Sequence, residues 1–366
     1  MVKKGSRRGG RVVTIHDVAR HAGVSPMTVS RVINSEANVR EETRARVAAS
    51  VKALRYSPNQ AARSLASANA IRIGILYANP STNYLSEFLL GSLEQSSLSG
   101  CQLVIEKCEG VESEHSEYEV IQRLVKGSID GVILPAPLCD SEDALKAVRD
   151  AGLCAVLVAS GRPAPGFCAV SINNFEASRA MTRLLLELGH RRIGFINGNP
   201  NQTATGQRFH GFVQGMTEAG LSVDADQVAQ GYFTYRSGME AAEKLLDAST
   251  PTAIFASNDD MAAATMAVAH RKGLEVPRDL SIAGFDDTPL ATTVWPPLTT
   301  VHQPIADMAR EAVRLLVEQI RARRLGGEPQ LVQKMLKFAL VKRDSTAPWH
   351  PPHPEPRLPR HRGKRF

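Results

Sequence analysis

The residues best suited to recognise a ligand fall into two groups, and the first lies near the N-terminus at residues 26–34. Small hydroxyl side chains and one arginine alternate there with apolar residues at Val29 and Val32. Arginine can donate two hydrogen bonds to the edge of a guanine, whereas serine and threonine hydroxyls suit phosphate oxygens. A helix that turns both valines inward exposes the following side chains: Pro26, Met27, Thr28, Ser30 and Arg31. The segment therefore predicts a surface that reads nucleic acid.

The second group consists of polar residues that directly follow short apolar runs in the rest of the chain. Each run has the length and composition of a buried strand. In a parallel sheet the carboxyl ends of the strands meet at one edge, and ligands bind in the crevice beyond that edge. The polar positions that such a ligand can use are Asn79, Ser160, Asn197, Asn258, Asp259, Asp286 and Asp287.

Three short helices are predicted to position the first group, because apolar residues recur at helical spacing across residues 14–56. The first helix opens at Thr14, with Asp17 three residues later as an approximate capping box. A glycine ends that helix, and Ser25 caps a second helix that starts with proline. A third helix is predicted for residues 41–54. This is the pattern of a helix-turn-helix, whose second helix docks in the major groove of DNA; a purely structural helical bundle is the alternative.

Alternating strands and helices are predicted to position the second group. The strands are Ile71–Leu76, Leu103–Ile105, Gly131–Leu134, Ala155–Val158, Ile193–Ile196, Ala253–Ala256 and Ser281–Phe285. The helices are 84–98, 116–126, 142–151, 175–188, 207–219, 237–247, 260–272 and 304–323. Such alternation indicates parallel sheets covered by helices on both faces. Because residues 71–342 are many for one sheet, we predict two doubly wound α/β subdomains divided near residue 170.

The charge of this 366-residue chain is concentrated at its ends. Residues 1–70 hold 13 Lys and Arg against 4 Asp and Glu, and residues 345–366 hold 5 against 1, so the middle is acidic within a total of +7. A basic segment on an acidic body suits the neutralisation of phosphates, although a solvated basic tail is the alternative. Residues 1–13 are interpreted as a basic extension and residues 343–366, rich in Pro, His and Arg, as a disordered tail.

Several classes of protein are excluded by motifs that the sequence lacks. Five cysteines form no CxxC pair and are expected to be reduced and mostly buried. No secretory signal and no long apolar run is present, so a cytoplasmic protein without a membrane partner is expected. Because no dinucleotide, phosphate-loop, nucleophile-elbow or HExxH motif appears, neither an enzyme, a metal nor a cofactor is expected.

An ordered series of motifs in the head resembles the lactose/galactose repressor (LacI/GalR) family of bacterial transcriptional regulators. The matching segments are 13–19, 22–25, 28–34, 43–44, 56–59 and 62–65. The resemblance implies that residues 59–70 hold a hinge helix and linker, with Leu65 wedged into the minor groove; a flexible linker throughout is the alternative. It implies DNA contacts from Thr14, His16, Ser25, Pro26, Met27, Thr28, Ser30, Arg31, Asn34, Asn59, Ala62 and Leu65.

The body resembles that of the same family, a periplasmic-binding-protein-like pair of lobes with the ligand between them. The landmarks are segments 188–190, 208–212, 257–259, 284–287 and 297–301. The resemblance implies effector contacts from Asn83, Tyr84, Arg208, Phe233, Asn258, Asp286 and Gln303. Each has a structural alternative: a helix cap for Asp286, an ion pair for Arg208 and a core position for either aromatic. Where some members of the family have an acidic ligand residue, this chain has Ala159 and Ser160.

The expected fold class is therefore a small all-α helix-turn-helix head (residues 14–58) and an α/β effector-binding and dimerisation body (residues 71–342). The expected function is a transcriptional repressor, most simply of a carbohydrate-utilisation operon, that binds near-palindromic double-stranded DNA as a homodimer and responds to a sugar or sugar derivative. A purine or nucleoside effector is the main alternative. A periplasmic sugar receptor is a second alternative, which the basic head and the missing signal oppose.

Overall fold

A computed structural model of the chain describes residues 13–33, 39–54, 56, 70–108, 117–162, 165–328 and 330–350. The chain divides into two compact units, which meet in sequence between Ala70 and Ile71. The first unit contains the head and the second contains the body.

The described residues of the head form three helices: α1 Ile15–Ala22, α2 Pro26–Ile33 and α3 Glu41–Ala53. Their small shared core includes Val18, Val29 and Val47, all fully buried. Asp17 accepts hydrogen bonds from the backbone N–H of Thr14 at 3.0 Å and from its hydroxyl at 2.8 Å, which secures the start of α1. The turn to α2 follows at Gly23, whose φ of 62° lies in the left-handed region that glycine adopts without strain.

The body is built from nine α-helices and twelve strands in the part of the chain that the structure describes. The helices are α4 Thr82–Ser99, α5 Glu117–Lys126, α6 Glu142–Asp150, α7 Asn174–Glu187, α8 Thr203–Glu218, α9 Tyr235–Ala248, α10 Asp259–Arg271, α11 Leu290–Thr293 and α12 Ile305–Arg324. The strands are β1 Arg72–Tyr77, β2 Gln102–Lys107, β3 Gly131–Pro135, β4 Cys154–Val158, β5 Cys168–Ile172, β6 Ile193–Asn197, β7 Val228–Gln230, β8 Ala253–Ala256, β9 Ser281–Asp286, β10 Thr299–His302, β11 Gln333–Leu336 and β12 Ala339–Val341.

Two six-stranded sheets divide the body into two lobes. The first lobe has the strand order β11-β5-β4-β3-β1-β2, with every neighbouring pair parallel. The second has the order β12-β10-β9-β8-β6-β7, in which only β12 is antiparallel to its neighbour. Helix α12 packs on α4 and on the first sheet, whereas α7 and α8 pack together in the second lobe. The predicted class, a helix-turn-helix head with two doubly wound α/β subdomains, is confirmed.

Within the described residues, the chain crosses between the lobes three times, after β5, after β10 and after β11. The first crossing lies close to the predicted division near residue 170. A single division at that point is incomplete, however, because α12 and β11 return to the first lobe. All seven strands and eight helices predicted for the body are present, with ends displaced by up to four residues. The sequence missed five strands, namely β5, β7, β10, β11 and β12.

Residues 343–349 pack against the second lobe, so the prediction that a disordered tail begins at residue 343 is wrong for this segment. Ser345 is fully buried, and its hydroxyl donates to the carbonyl of Ile282 at 2.6 Å and accepts from the N–H of Thr299 at 2.8 Å. The N–H of Trp349 donates to the carbonyl of Leu188 at 2.8 Å. Composition misled the prediction because these contacts join residues far apart in sequence. Residues 351–366 lie outside the described part of the chain.

The cysteines and the apolar helices were also the subject of predictions from composition. All five cysteines are free thiols and four of them are buried, as predicted. Among the described residues, no helix is both long enough and apolar enough to cross a membrane.

Candidate ligand cavity and nucleic-acid interface

A cavity with roughly 360 Å³ of open space between its lining atoms lies between the two lobes of the body. It is lined by Asn79, Ser81, Tyr84, Ala136, Ala159, Gln202, Ala204, Arg208, Phe233, Asn258, Asp286 and Gln303. The first five belong to the first lobe, and Gln303 lies on a crossover. A ligand here touches both lobes at once, because the carboxyl ends of both sheets face the cavity.

Arg208 is the buried cation of this cavity and is held on three sides by other parts of the second lobe and the crossover. It lies on α8, and its Nε donates to Asn174 Oδ1 at 2.9 Å. One terminal nitrogen donates to the carbonyl of Ser257 at 2.5 Å and the other to Gln303 Oε1 at 3.1 Å. The guanidinium also lies 3.6 Å from the ring centroid of Phe285, a distance that allows a cation–π interaction.

Asp286 ends β9 beside this cation and has an unused acceptor. Its Oδ1 lies 3.7 Å from Nη1 of Arg208, and this buried oxygen has no hydrogen-bond partner among the described residues. Burial raises the pKa of the Asp286 carboxyl well above its usual value, the charge of Arg208 opposes that rise, and the charges of Asp259 and Asp260 add to it. A ligand that donates a hydrogen bond to Oδ1 therefore removes an unfavourable feature of the cavity.

Three further buried polar atoms around the cavity lack partners within the described structure. They are Tyr84 Oη, Gln202 Nε2 and Gln303 Nε2. Burial, reinforced by the negative charge of Asp286, raises the pKa of the Tyr84 hydroxyl, and the neighbouring side chain of Gln303 opposes that rise. The hydroxyl stays neutral and can both donate and accept. The two amide nitrogens only donate. The cavity thus offers donors and an acceptor in a confined space.

Backbone strain is concentrated at the cavity wall. Of the five non-glycine residues with positive φ in the described ranges, Ala159, Phe233 and Asp286 line the cavity, at 64°, 61° and 111°. Such conformations cost free energy and persist only where the surroundings impose them. Gly198 makes room for the aromatic ring, because a Cβ atom there would lie 2.0 Å from Phe233 Cζ.

Six of the seven predicted effector contacts line this one cavity: Tyr84, Arg208, Phe233, Asn258, Asp286 and Gln303. Asn83 does not, because its amide donates to Asp260 Oδ1 at 2.8 Å instead. Asn258 is also partly committed, since it caps α10 by accepting from Met261 N–H at 3.0 Å and donates to the carbonyl of Phe233 at 3.1 Å.

Gln202 is a lining residue that the sequence reasoning missed. The sequence predicted a helix only from residue 207, whereas α8 begins at Thr203 and Gln202 is its N-cap. Asn79 lines the cavity as its position after β1 predicted, but Ser160 bonds to Asp140 instead. A helix start hidden in a polar segment such as 199–205 gives no periodic signal.

The predicted DNA-reading residues of the head lie on and around α2. Met27 is 65% exposed. Four others are exposed, namely Thr14, His16, Ser25 and Arg31, and three are half-buried, namely Pro26, Thr28 and Ser30. The hydroxyl of Ser25 accepts from Thr28 N–H at 3.1 Å and lies 2.9 Å from the Thr28 hydroxyl, so it also secures the start of α2. The remaining predicted contacts lie outside the described residues: Asn34, Asn59, Ala62 and Leu65.

Comparison with known proteins covers both units. Residues 14–59 match the family model described as bacterial regulatory proteins, lacI family, and residues 182–346 match a periplasmic binding protein-like domain. Catabolite control protein A of Priestia megaterium is 33% identical over 84% of this chain and 92% of its own length. The chain belongs to the lacI family. The HTH-type transcriptional regulator DegA of Bacillus subtilis is 35% identical over 92% of this chain and 98% of its own length.

Other members of the lacI family also resemble this chain. The HTH-type transcriptional repressor PurR of Haemophilus influenzae is 33% identical over 84% of this chain and 91% of its own length. The structure of a transcriptional regulator CelR–cellobiose complex is 31% identical, with a TM-score of 0.68, and the match covers 91% of this chain and 99% of that one. A lac repressor dimer bound to operator and an anti-inducer is 26% identical, with a TM-score of 0.72 over 92% of this chain and all of that one. These relatives are transcriptional regulators, and the predicted class of DNA-binding regulator is confirmed.

Proposed function

We propose that this lacI-family regulator represses transcription by binding a near-palindromic operator as a homodimer, and that a sugar-like effector in the inter-lobe cavity controls its operator affinity. The exposed side chains of α2 support DNA reading, because Met27 and Arg31 are not needed to fill the small core of the head. One head per half-site follows from two-fold symmetry. The protein would act in the cytoplasm, where the DNA is.

The observation that carries the sugar proposal is the set of unpartnered buried atoms around one cavity. These atoms are Tyr84 Oη, Gln202 Nε2, Asp286 Oδ1 and Gln303 Nε2. A ligand that satisfies all of them must offer both hydrogen-bond donors and acceptors. A buried polar group without a partner costs about 1–3 kcal/mol. Each hydroxyl of a sugar both donates and accepts, so a polyol can satisfy the carboxylate and the amides with one kind of group. The ring of Phe233 offers an apolar face for the C–H surface of the sugar.

A purine base or nucleoside is the second candidate. The similarity to the H. influenzae purine repressor named above favours it, and the Phe233 ring can stack on a base as well as on a pyranose. The fixed donors and acceptors of a base match this mixed set less completely than hydroxyls do. The similarity to the cellobiose complex also supports the sugar.

The coupling between cavity and operator follows from lobe closure. A ligand that touches both lobes favours the arrangement that it fits best, and it changes DNA affinity only by its difference in affinity between the two arrangements. Residues 59–70 join the head to the body in sequence, and the hinge helix expected there stays a prediction. Leu65 remains the candidate wedge there.

The experiment is a selection of bound sequences from random duplexes, followed by a mobility shift on the selected site. The shift is repeated with uncharged sugars, including cellobiose and ribose, and with purine bases and nucleosides; a duplex of scrambled sequence is the control. Recovery of a palindrome whose shift responds to an uncharged sugar supports the proposal. A response to purine bases or nucleosides alone means that the effector is a purine and not a sugar. Failure to select any sequence at moderate salt contradicts the proposal that the protein binds an operator.

A further inference from the structure

The N-terminus of α8 receives a carboxylate from the opposite lobe. Gln202 is the N-cap of this helix, yet its side chain makes no capping hydrogen bond. Asp140 of the first lobe supplies the acceptor instead: its Oδ2 accepts from the backbone N–H of Thr203 at 2.9 Å and from the Thr203 hydroxyl at 2.8 Å. An acidic group at a helix N-terminus is favourable because the first N–H groups and the helix dipole attract it.

Neighbouring bonds reinforce this contact from both lobes. The hydroxyl of Ser160, in the first lobe, donates to Asp140 Oδ1 at 2.8 Å and orients the carboxylate. The N–H of Gly161 donates to Thr203 Oγ1 at 2.7 Å, and the side-chain amide of Gln207 donates to the carbonyl of Gly161. The link therefore joins two segments of the first lobe, at Asp140 and at Ser160 and Gly161, to the first two turns of α8.

Helix α8 also carries the cation of the cavity. Arg208 lies in the second turn, and Gln202 and Ala204 flank the capped residue; all three line the cavity. The facing wall belongs to the first lobe. Holding the helix start against the first lobe therefore fixes the width of the cavity at this end.

We propose that Asp140 is a positioning residue that caps α8 across the cleft and thereby holds Arg208 and Gln202 against the first lobe. The inference rests on the proposed function only for its consequence, which is that Asp140 raises the affinity of the cavity for its effector. The cross-cleft cap itself requires neither effector nor operator.

A second cross-lobe link limits what the loss of Asp140 can do. Ser81 Oγ donates to Asp260 Oδ2 at 2.5 Å, and Asn83 Nδ2 donates to Asp260 Oδ1 at 2.8 Å. These bonds join the start of α4 to the first turn of α10 and do not involve Asp140. Removing Asp140 should therefore loosen the start of α8 without separating the lobes completely.

The test is hydrogen exchange of the full-length protein, read at the amides of residues 203–205. Asp140→Ala should speed exchange at Thr203 by about tenfold, equivalent to 1.4 kcal/mol, even though the substitution lies in the other lobe. Asp143→Asn is the matched control, because it removes an exposed carboxylate from the same segment. Thr203→Val keeps the amide and removes the hydroxyl, and a smaller rise is expected.

The melting curve of each variant shows whether the body is folded, and Thr203→Val provides the reading if Asp140→Ala does not fold. Faster exchange at Thr203 in the tested variants, with unchanged exchange in Asp143→Asn, supports the cross-cleft cap. Unchanged exchange at Thr203 in a folded Asp140→Ala variant overturns it, as does an equal rise in Asp143→Asn. Because no ligand or DNA is added, this outcome is independent of the operator and effector experiments.

Discussion

The head and the inter-lobe cavity hold their functional side chains in opposite ways. On α2 of the head, the side chains of Met27 and Arg31 are exposed. Ser25 secures the start of this helix, and Val29 packs in the core of the head. In the cavity, Arg208 and its neighbours are buried, and each holds another in place. Recognition by the head can therefore vary without loss of the fold, whereas recognition by the cavity is tied to the stability of the body.

The largest effect is expected from Arg208→Met in the cavity. The change leaves Asp286 buried without its cation and removes the partners of Asn174 and Gln303. Breaking a buried pair from one side costs about 3–5 kcal/mol, so the free energy of unfolding in urea should fall by that amount. Arg236→Met, on an arginine whose side chain is 91% exposed, is the control and should change it little. If the two variants are equally stable, the buried cavity residues do not support the fold of the body, and the contrast with the exposed residues of the head is wrong.

The next effect is expected from Arg31→Ala in the head. Loss of a bidentate contact to a base costs about 1–3 kcal/mol of discrimination, so affinity for the selected operator should fall, measured by fluorescence anisotropy at fixed salt. The free energy of unfolding of the body should stay the same. If Arg31→Ala also lowers the free energy of unfolding of the body, the head residues are not independent of the fold of the body.

A smaller effect is expected from Ser345→Ala, which tests the packed segment after β12. The substitution leaves the N–H of Thr299 and the carbonyl of Ile282 without their buried partner. The cost should be about 1–3 kcal/mol in thermal or urea unfolding. Thr292→Ala, on the exposed surface of the same lobe, serves as the control. No difference between the two would mean that residues 343–349 do not support the second lobe.

The smallest effect is a pH dependence that arises at His190. Burial lowers the pKa of this imidazole, whose ring nitrogens lie 2.9 Å from Thr252 Oγ1 and 3.1 Å from the carbonyl of Ala347. A depressed folded pKa gives stability that is complete above the unfolded value near 6.5 and is lost as pH falls through the folded pKa. His190→Gln should remove that part of the pH dependence of unfolding between pH 5 and 7. If the pH dependence of the free energy of unfolding is the same in His190→Gln as in the wild type, it does not arise at His190.

The sequence predicted the head almost completely because its determinants are local. The capping pair of Thr14 and Asp17, the glycine turn and the serine cap of α2 all act within four residues. In the body, seven strands and eight helices were predicted from periodicity, but five strands and the order of the strands within each sheet were not. Residues 202 and 345 show why: one is a helix cap in a polar segment, and the other is buried by contacts with strands more than 40 residues away.

Asn83 illustrates the same limit within the candidate site. Its position after β1 and the family resemblance placed it in the cavity together with Tyr84, and the helix spacing of adjacent residues points them in different directions. Tyr84 faces the cavity, while Asn83 bonds to Asp260 in the other lobe. Local spacing predicted that the segment belongs to the site, and only the three-dimensional structure assigns each side chain.

The most direct test of the account is an anisotropy titration of the selected operator complex with the most active uncharged sugar, on the wild-type protein and on Asp286→Asn. The sugar should change the operator affinity of the wild type by about tenfold, within the usual range of coupling between sites, and the response should be lost in the variant. An equal response in both proteins, or none to any sugar or purine in the wild type, would contradict control of the operator from this cavity.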